Sequence, residues 1–536
     1  MPHRRLLRLL PLLALGLAVA QPAAAGPLSV NPLTVLSGPS PFASCDLSGL
    51  SGSNYLNAEV EPWVAVNPAD SSNIIAVWQQ DRWSNGGARG LVAAVTHDGG
   101  LTWTRTFAHF SSCAGGTDAN GGNYERASDP WVTFSPNGVA YQISLSVNFA
   151  SATFASAVLV SRSSDGGTTW GEPVTLIRDT NPLRFNDKES ITADPNDSSF
   201  VYAVWDRSRF PSDAGKPNGN PHSLRGDILF ARTTDGGASW EPARTIFRPQ
   251  ANQATISNQI VVTPDGTLVD TFQFLQGSGM NKTGYSIGMI RSTDHGATWS
   301  APAIIDKQVF QGAFDPDTGN PIRAEASVND VAVGPSGELY VAWQDSRFRG
   351  VDGMVVSKST DDGRTWSAPV PVNQTPTDIP LADQQAFVPT IDVAGDGTVA
   401  VTYYDFRNNT AAAGVPTDYF IVHCHPAGPA GCMHAGDWAT RPTWAARSIS
   451  SRRPQRAGRP GTSWVTTRGW PTSVARSSQC SPRSTTDSRP TAPTSSPPAS
   501  RPRLPAWDIC AIRRRLGCGQ TPGATWPLAG AVHTLG

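Results

Sequence analysis

Four arginines share a local sequence pattern and are the first candidates for chemistry in this chain. Each follows closely on an aromatic residue and an aspartate that end a hydrophobic run: Arg82, Arg207, Arg347 and Arg407. A guanidinium group offers a rigid fork that can hold a carboxylate through two hydrogen bonds. The pattern therefore predicts a group of arginines that binds an anionic ligand. Alternatively, each Asp–Arg pair braces its own loop.

Acidic residues stand at the start of several other hydrophobic runs: Glu59, Glu61, Asp129, Glu189 and Asp330. A carboxyl group held beside a reacting atom can donate or accept a proton. If repeated units place the starts of these runs on one face, the acids and the arginines meet there. We therefore expect one face of the fold to carry both the acidic side chains and the arginines.

One short phrase, S/T-x-D-x-G-x-[ST]-W, recurs five times. Its aspartates are 67, 70, 59 and 67 residues apart: Asp98, Asp165, Asp235, Asp294 and Asp361. Repeats of this length indicate a propeller or a solenoid. Asp can bind the amides that follow it, Gly accepts a positive φ, and Thr and Trp suit an outgoing strand. The five aspartates are therefore predicted to be structural, each closing a hairpin turn.

The segments around these phrases contain regularly spaced, alternating hydrophobic runs. Each unit has two runs, then a third that leads into the phrase and a fourth that leaves it. In the sixth unit the phrase is absent, and residues 418–423 form the third run. With 39% hydrophobic residues, 50 Gly and 45 Pro, the composition is typical of short strands joined by tight turns. We predict six units of four antiparallel strands.

The repeated phrase resembles the Asp-box, or BNR, repeat of sialidase-like β-propellers, and the resemblance covers about 58–425. It implies an all-β fold, a six-bladed β-propeller of sialidase type with four antiparallel strands per blade. A seventh blade is the alternative. In such proteins the Asp box lies on the face opposite the active site. The phrase therefore identifies the fold and not the chemistry.

The same resemblance implies a secreted glycoside hydrolase that acts on terminal sialic acid or a related anionic sugar. In sialidases an arginine triad holds the substrate carboxylate, an Asp is the acid/base, and a Tyr activated by a Glu is the nucleophile. Carried onto this sequence, these roles fall to Asp129, Glu189 and Tyr404, with the four arginines binding substrate.

One departure from the sialidase pattern concerns the arginines. The early Arg-Ile-Pro phrase of active sialidases is missing, and Arg82 is the first arginine after the predicted leader. The same fold also hosts proteins that are not enzymes. The alternative function is therefore a non-catalytic BNR propeller that binds glycan or protein.

The ends of the chain differ in composition from its middle. Residues 1–25 are predicted to be a signal peptide, with a basic start, an apolar stretch at 9–19 and small residues at 23–25. Residues 26–57 form a lead-in to the propeller at 58–438. We therefore expect a secreted monomer, extracellular or periplasmic, with no membrane span.

Residues 439–536 contain fifteen Arg, two Asp and no Lys or Glu, and they are rich in Ser and Pro. One interpretation is a disordered basic tail. The other is a shift of reading frame near residues 438–450. In the shifted frame, 463–471 can encode Phe-Leu-Gly-Asp-Tyr-Glu-Gly-Leu-Ala, which resembles another first strand. A closing segment or a seventh blade would then be missing from this chain.

Four of the seven cysteines lie before residue 439 and could form two disulfides outside the cell. Cys424 and Cys432 are close in sequence and are the predicted pair. The alternative is a metal site that these two cysteines share with His423 and His425.

A second possible metal site is residues 315–320, which resemble a calcium loop but lack the later Glu of an EF-hand. A plain turn is predicted there, with calcium as the weaker alternative. We therefore expect no cofactor. The expected partner is a glycan or glycoconjugate, and no nucleic acid is expected.

Overall fold

The structure is a computed structural model that describes residues 34–46, 48–150, 153–210, 225–251, 253–277, 283–322, 329–412, 415–426 and 431–438. The predicted signal peptide and everything after residue 438 lie outside these ranges. The described part is all-β, as predicted, with short 3-10 turns at Ser112–Ala114, Leu381–Gln384 and Ala435–Asp437. No helix in these ranges has the length and apolar character needed to cross a bilayer.

The strands occur in six consecutive units at the positions of the predicted runs. The first strands are β1 Glu59–Asn67, β5 Arg126–Phe134, β9 Arg184–Ala193, β13 Gln253–Val262, β17 Asn329–Val333 and β21 Ala386–Val393. The second strands are β2 Asp70–Arg82, β6 Ala140–Asn148, β10 Val201–Arg209, β14 Leu268–Gly277, β18 Leu339–Asp345 and β22 Val399–Asp405.

The outer strands complete each unit. The third strands are β3 Ala88–Thr96, β7 Ala155–Ser163, β11 Arg225–Thr233, β15 Thr283–Ser292, β19 Gly353–Ser359 and β23 Asp418–Cys424. The fourth strands are short: β4 Thr104–Thr106, β8 Val174–Asp179, β12 Arg244–Phe247, β16 Ala303–Gln308 and β20 Val370–Pro371. Within the described ranges the sixth unit has three strands.

Strands within a unit pair antiparallel, and some units join at their edges. Ala88 of β3 pairs with Ala127 of β5, which makes one eight-stranded sheet from the first two units. A short parallel pairing of β11 with β13 does the same for the third and fourth units. First strands of neighbouring units also contact each other. Ser190 and Thr192 of β9, for example, donate hydrogen bonds to the carbonyls of Asn258 and Ile260 in β13.

Apolar side chains fill the space between consecutive units. Ile75, Val77 and Val95 of the first unit pack against Val132 and Phe134 of the second, and the pattern recurs down the chain. The second strands of the first, third and fifth units each bury a tryptophan completely: Trp78, Trp205 and Trp343. Each indole N–H has a polar acceptor, as a buried tryptophan requires: Gln80, Asn186 and Asp345 respectively. The core therefore lies between the units.

The five repeated turns have the same hydrogen bonds. At Asp294, one carboxylate oxygen accepts from the Thr298 amide at 2.8 Å and the other from the Thr298 hydroxyl at 2.6 Å. The Ser292 hydroxyl donates to Asp294 and accepts from the Gly296 amide. Equivalent contacts occur at Asp98, Asp165, Asp235 and Asp361. The carboxylate thus holds the hairpin closed.

Four of these turns, at Asp165, Asp235, Asp294 and Asp361, also dock on the preceding unit. Asn73 of the first unit donates to the carbonyl of Gly166, and Tyr141 of the second donates to the carbonyl of Gly236. In the fourth unit, a Cβ on Gly296 would lie 2.5 Å from the Phe230 ring of the third unit. Glycine is needed there because the neighbouring unit leaves no room for a side chain.

We expect the repeated turns to make the protein sensitive to acid. Hydrogen bonds from the residue four positions later hold the pKa of Asp235 and of Asp294 at about 2, below the ordinary 3.8. A lowered pKa stabilises the fold above about pH 4, and this contribution is lost as the pH falls towards 2. The double variant Asp235→Asn/Asp294→Asn should therefore be less stable than wild type at pH 6, and most of this difference should be gone at pH 2. Urea unfolding across this range measures the difference, and a gap as large at pH 2 as at pH 6 would contradict the explanation.

Two disulfides link the cysteines of the described part. Cys45 of the lead-in is joined to Cys113, 68 residues away, and Cys424 is joined to Cys432, 8 residues away. The Cys424–Cys432 bridge packs with Trp438 in the core between the fifth and sixth units.

Candidate functional site

Five first strands carry the same irregularity. Two of their residues lie opposite a single residue of the second strand, and the first of the two has a positive φ of 53° to 61°: Glu61, Asp129, Lys188, Ser257 and Val388. This is a β-bulge, which bends the strand and redirects a side chain. Prolines follow Glu61, Asp129 and Val388, and a bulge is where a strand interior tolerates proline.

The first three bulges bring a buried ionic cluster together. The Lys188 ammonium lies 3.9 Å from an oxygen of Glu61 and 3.8 Å from an oxygen of Asp129. The three side chains come from β9, β1 and β5, and each is at least 95% buried. A buried charge is costly unless it is paired, so this group is held by the units around it.

Gln79 of β2 contacts both carboxylates of the cluster. Its amide nitrogen donates to Glu61 and, at 3.3 Å, to Asp129. The Ser128 hydroxyl also donates to Asp129, at 2.7 Å. Burial first, and then the charge of Asp129, raise the pKa of Glu61, while Lys188 opposes the rise. Two acids this close hold a proton more readily than one acid alone.

Glu189, next to Lys188, is a second buried acid. Burial, followed by the nearby charge of Asp129, raises its pKa well above the ordinary value. Both its carboxyl oxygens are inaccessible to solvent, and no other residue in the described ranges hydrogen-bonds to them. Burial therefore favours the protonated form of Glu189. Asp129 and Glu189, predicted as catalytic residues, lie in the same cluster.

Two further buried acids tie neighbouring units together. Asp206 of β10 accepts hydrogen bonds from Thr255 and Asn258 of the fourth unit, and burial raises its pKa to about 7. Asp330 of β17 accepts from the Ile391 amide of the sixth unit, and burial raises its pKa to about 7 as well. Buried carboxyl groups therefore lie at several of the contacts between neighbouring units.

Three of the four predicted arginines are paired with carboxylates of the chain. Arg207 is bound to Asp179 of β8. Arg347 contacts Asp345 at 2.9 Å and Asp306 of β16 at 2.7 Å. Arg407 contacts Asp405 at 2.6 Å. Arg347 and Arg407 each pair with the aspartate of their own phrase, as the bracing alternative expects, whereas Arg207 pairs with an aspartate of the preceding unit. Binding of an anionic ligand by these arginines, the anion clamp, stays a prediction.

Arg82 is the predicted arginine nearest the ionic cluster. It donates to the side-chain oxygen of Gln79 and to the carbonyl of Gly87, both at 3.1 Å. Its charge also acts on Glu61, whose ionised form it favours. Arg82 is therefore linked to the carboxylate pair through Gln79.

Tyr404, the predicted nucleophile, lies in an aromatic group. Its ring is 4.6 Å from that of Tyr419 and 6.0 Å from that of Phe387. Burial, together with Tyr419, raises its pKa. A nucleophilic tyrosine needs a base that takes its proton, and the contacts of Tyr404 are with aromatic rings. Its catalytic role stays a prediction.

The predicted turn at 315–320 is present. One Asp315 oxygen accepts from the backbone amides of Asp317 and Thr318, at 2.9 and 3.1 Å. Among the residues that the structure describes, no three or more His, Cys, Asp or Glu side chains form a group that could hold a metal ion.

Lys188 and Gln79 are the members of the cluster that sequence reasoning missed. Both lie in hydrophobic runs predicted to be strands, but nothing near them in sequence indicated that they face Glu61 and Asp129. The available signal was the lysine itself. A lysine at the start of an apolar strand, among predicted inward-facing acids, needs a partner when buried.

Residues 225–410 match the family model of the BNR repeat-like domain. This match confirms the resemblance to sialidase-like BNR proteins that the repeated phrase indicated. Among curated proteins, no match is found.

Solved structures with some likeness to the chain include enzymes. A protein of unknown function from Dyadobacter fermentans is 13% identical, with TM-score 0.43 over 70% of this chain and 95% of its own. A Hadza microbial sialidase is 16% identical, with TM-score 0.39 over 68% and 66%. An α-L-arabinanase from Penicillium chrysogenum is 12% identical, with TM-score 0.41 over 66% and 94%. Likenesses at this level carry no argument about residue roles.

Proposed function

We propose that this chain is a secreted glycoside hydrolase that removes a terminal sugar from a glycan. The observation that carries the proposal is the buried cluster in which Lys188 contacts Glu61 and Asp129, with Glu189 beside it. Hydrolysis of a glycosidic bond commonly uses two carboxyl groups, one protonated and one ionised. Burial favours the protonated form of Glu189, and contact with Lys188 favours the ionised form of Asp129.

The acid is Glu189, since burial raises the pKa of its carboxyl group and favours the protonated form. It gives that proton to the leaving oxygen of the sugar. The ionised partner is Asp129, because Ser128, Gln79 and Lys188 all place positive or donor groups on its carboxylate. It either activates water or stabilises the positive charge that develops on the sugar ring.

The scaffold of this proposal is a closed β-propeller of six blades, one for each unit. Support comes from the contacts between first strands of consecutive units, such as Asp330 with Ile391, and from the apolar layers between units. The sixth blade then needs its fourth strand from elsewhere. If the propeller has seven blades, which is the alternative to six, a further unit would close the ring.

The substrate proposed from the sequence is terminal sialic acid or a related anionic sugar. Such a sugar needs a cation that is free to hold its carboxylate. Arg207, Arg347 and Arg407 are each paired, so the clamp would require them to exchange partners. If Arg347→Ala/Arg407→Ala cleaved a sialoside at the wild-type rate, the clamp would be wrong.

A second candidate is a non-catalytic propeller that binds glycan or protein. One observation favours it. The carboxylates of the cluster are nearly closed to solvent, at 3% to 5% exposure for Glu61, Asp129 and Glu189. A substrate must reach these groups, whereas a buried cluster that only holds the units together need not be reached.

The test is hydrolysis of a panel of chromogenic glycosides, neutral and sialylated, by the secreted protein. We expect Asp129→Asn and Glu189→Gln to lower kcat by about 100-fold to 10,000-fold, as for removal of a general acid or base. Glu172→Gln is the matched control, because Glu172 is an exposed carboxylate that pairs with His109. A folded wild type that binds glycans but cleaves none of the panel would favour the second candidate.

A further inference from the structure

Lys188 occupies an unusual position for a lysine. It lies in a bulge of β9 opposite Trp205 of β10, with φ of 53° and a side chain only 5% exposed. A left-handed backbone is costly for a residue other than glycine, and burial of an ammonium group is costly for any lysine. A lysine with such a backbone and such burial therefore indicates that the surrounding residues need an ammonium group at this position.

The Lys188 ammonium faces carboxylates from several strands. It lies 3.9 Å from Glu61 of β1 and 3.8 Å from Asp129 of β5. It also acts electrostatically on Glu189 of its own strand and on Asp206 of β10. These distances are longer than hydrogen bonds, so the ammonium is shared between carboxylates and is not committed to one of them.

The other charged groups around the pair are few. Asp187 adds a further carboxylate from β9, through its effect on Glu189, and Arg82 acts on Glu61 from the end of β2. Gln79 donates to both members of the pair and carries no charge. Acids therefore outnumber cations in this buried space. Two adjacent carboxylates there cannot both stay ionised unless a cation balances them.

We propose that Lys188 is a positioning residue that holds Glu61 and Asp129 as a pair with a single proton, which Glu61 carries. The ammonium balances the one remaining negative charge, and Gln79 fixes the separation of the two carboxyl groups from the opposite strand. The catalytic consequence rests on the proposed function of this cluster, because Asp129 is then kept ionised as the partner of Glu189. The electrostatic role itself does not depend on that function.

The test compares Lys188→Met with Lys188→Arg by thermal unfolding at pH 5 and pH 8. Without the ammonium, the pair carries uncompensated charge at high pH and takes up protons at low pH. The Tm of Lys188→Met should therefore fall by roughly 5 °C at pH 8, and the loss should vanish or reverse by pH 5. Lys188→Arg keeps the charge and should recover most of the loss at pH 8.

Lys358→Met is the matched control, because Lys358 is an equally buried lysine that lies over the ring of Tyr340. Its effect on Tm should be similar at both pH values. A loss in Lys188→Met that is the same at pH 5 and pH 8 would overturn the proposal.

Glycoside assays separate this result from the proposed function. If hydrolysis is found, the acid limb of its pH profile should move to higher pH in Lys188→Met and return in Lys188→Arg. If no hydrolysis is found but the pH-dependent Tm loss is, the proposed function fails and the role of Lys188 stands.

Discussion

Removing the Cys45–Cys113 disulfide should destabilise the protein by about 4 kcal/mol, the value that chain entropy gives for a loop of this length. The bridge closes a loop of 68 residues and ties the lead-in to the segment after the first repeated turn. Its loss frees the unfolded chain far more than it changes the folded one. The double variant Cys45→Ser/Cys113→Ser, unfolded in urea without reductant, measures the effect.

The second bridge provides the comparison for this experiment. Cys424 and Cys432 are 8 residues apart, so Cys424→Ser/Cys432→Ser should cost only about 2.5 kcal/mol. An equal or larger loss from the short loop would show that local packing, and not chain entropy, sets the value of these bridges.

Gly296→Ala should destabilise the protein by about 3 kcal/mol, from two sources. Gly296 has φ of 82°, which an L side chain resists, and an added Cβ would lie 2.5 Å from the Phe230 ring. The ring is held in the core between the third and fourth units, so it has little freedom to move away. Denaturant unfolding gives the difference from wild type.

Gly266→Ala separates the two sources of the Gly296→Ala effect. Gly266 has φ of 86°, but an added Cβ there meets nothing within 4 Å. Only the backbone cost should remain, about 1 kcal/mol. If both variants lose the same stability, the contact with Phe230 does not restrict residue 296.

Much of this architecture could be predicted from local sequence. Every group that closes a repeated turn lies within seven residues, from Ser292 to Thr298 in the fourth unit, so a short local phrase can encode it. The strand positions followed from short apolar runs, since a strand buried on both faces carries apolar residues at consecutive positions. The bulges could also have been predicted from the sequence. Pro62 and Pro130 stand where an ordinary strand would need an N–H donor.

The ion pairs could not be predicted in the same way. Arg347 finds one partner two residues away and another, Asp306, 41 residues away. Arg207 finds Asp179 in a strand of the previous unit. The sequence around an arginine does not show whether its guanidinium group binds a ligand or pairs with a distant carboxylate of the same chain. The place of Lys188 between β1 and β5 likewise depends on how three units meet, which no single segment encodes.

The backward docking of the repeated turns gives the chain a direction of assembly. The turn at Asp165 rests on the first unit, that at Asp235 on the second, and that at Asp294 on the third. Each unit therefore completes its interface on a surface synthesised before it. A chain that emerges from its amino terminus during translation always has the earlier unit in place before the unit that packs on it. Folding can then proceed one unit at a time, and exposed apolar faces are limited to the growing end.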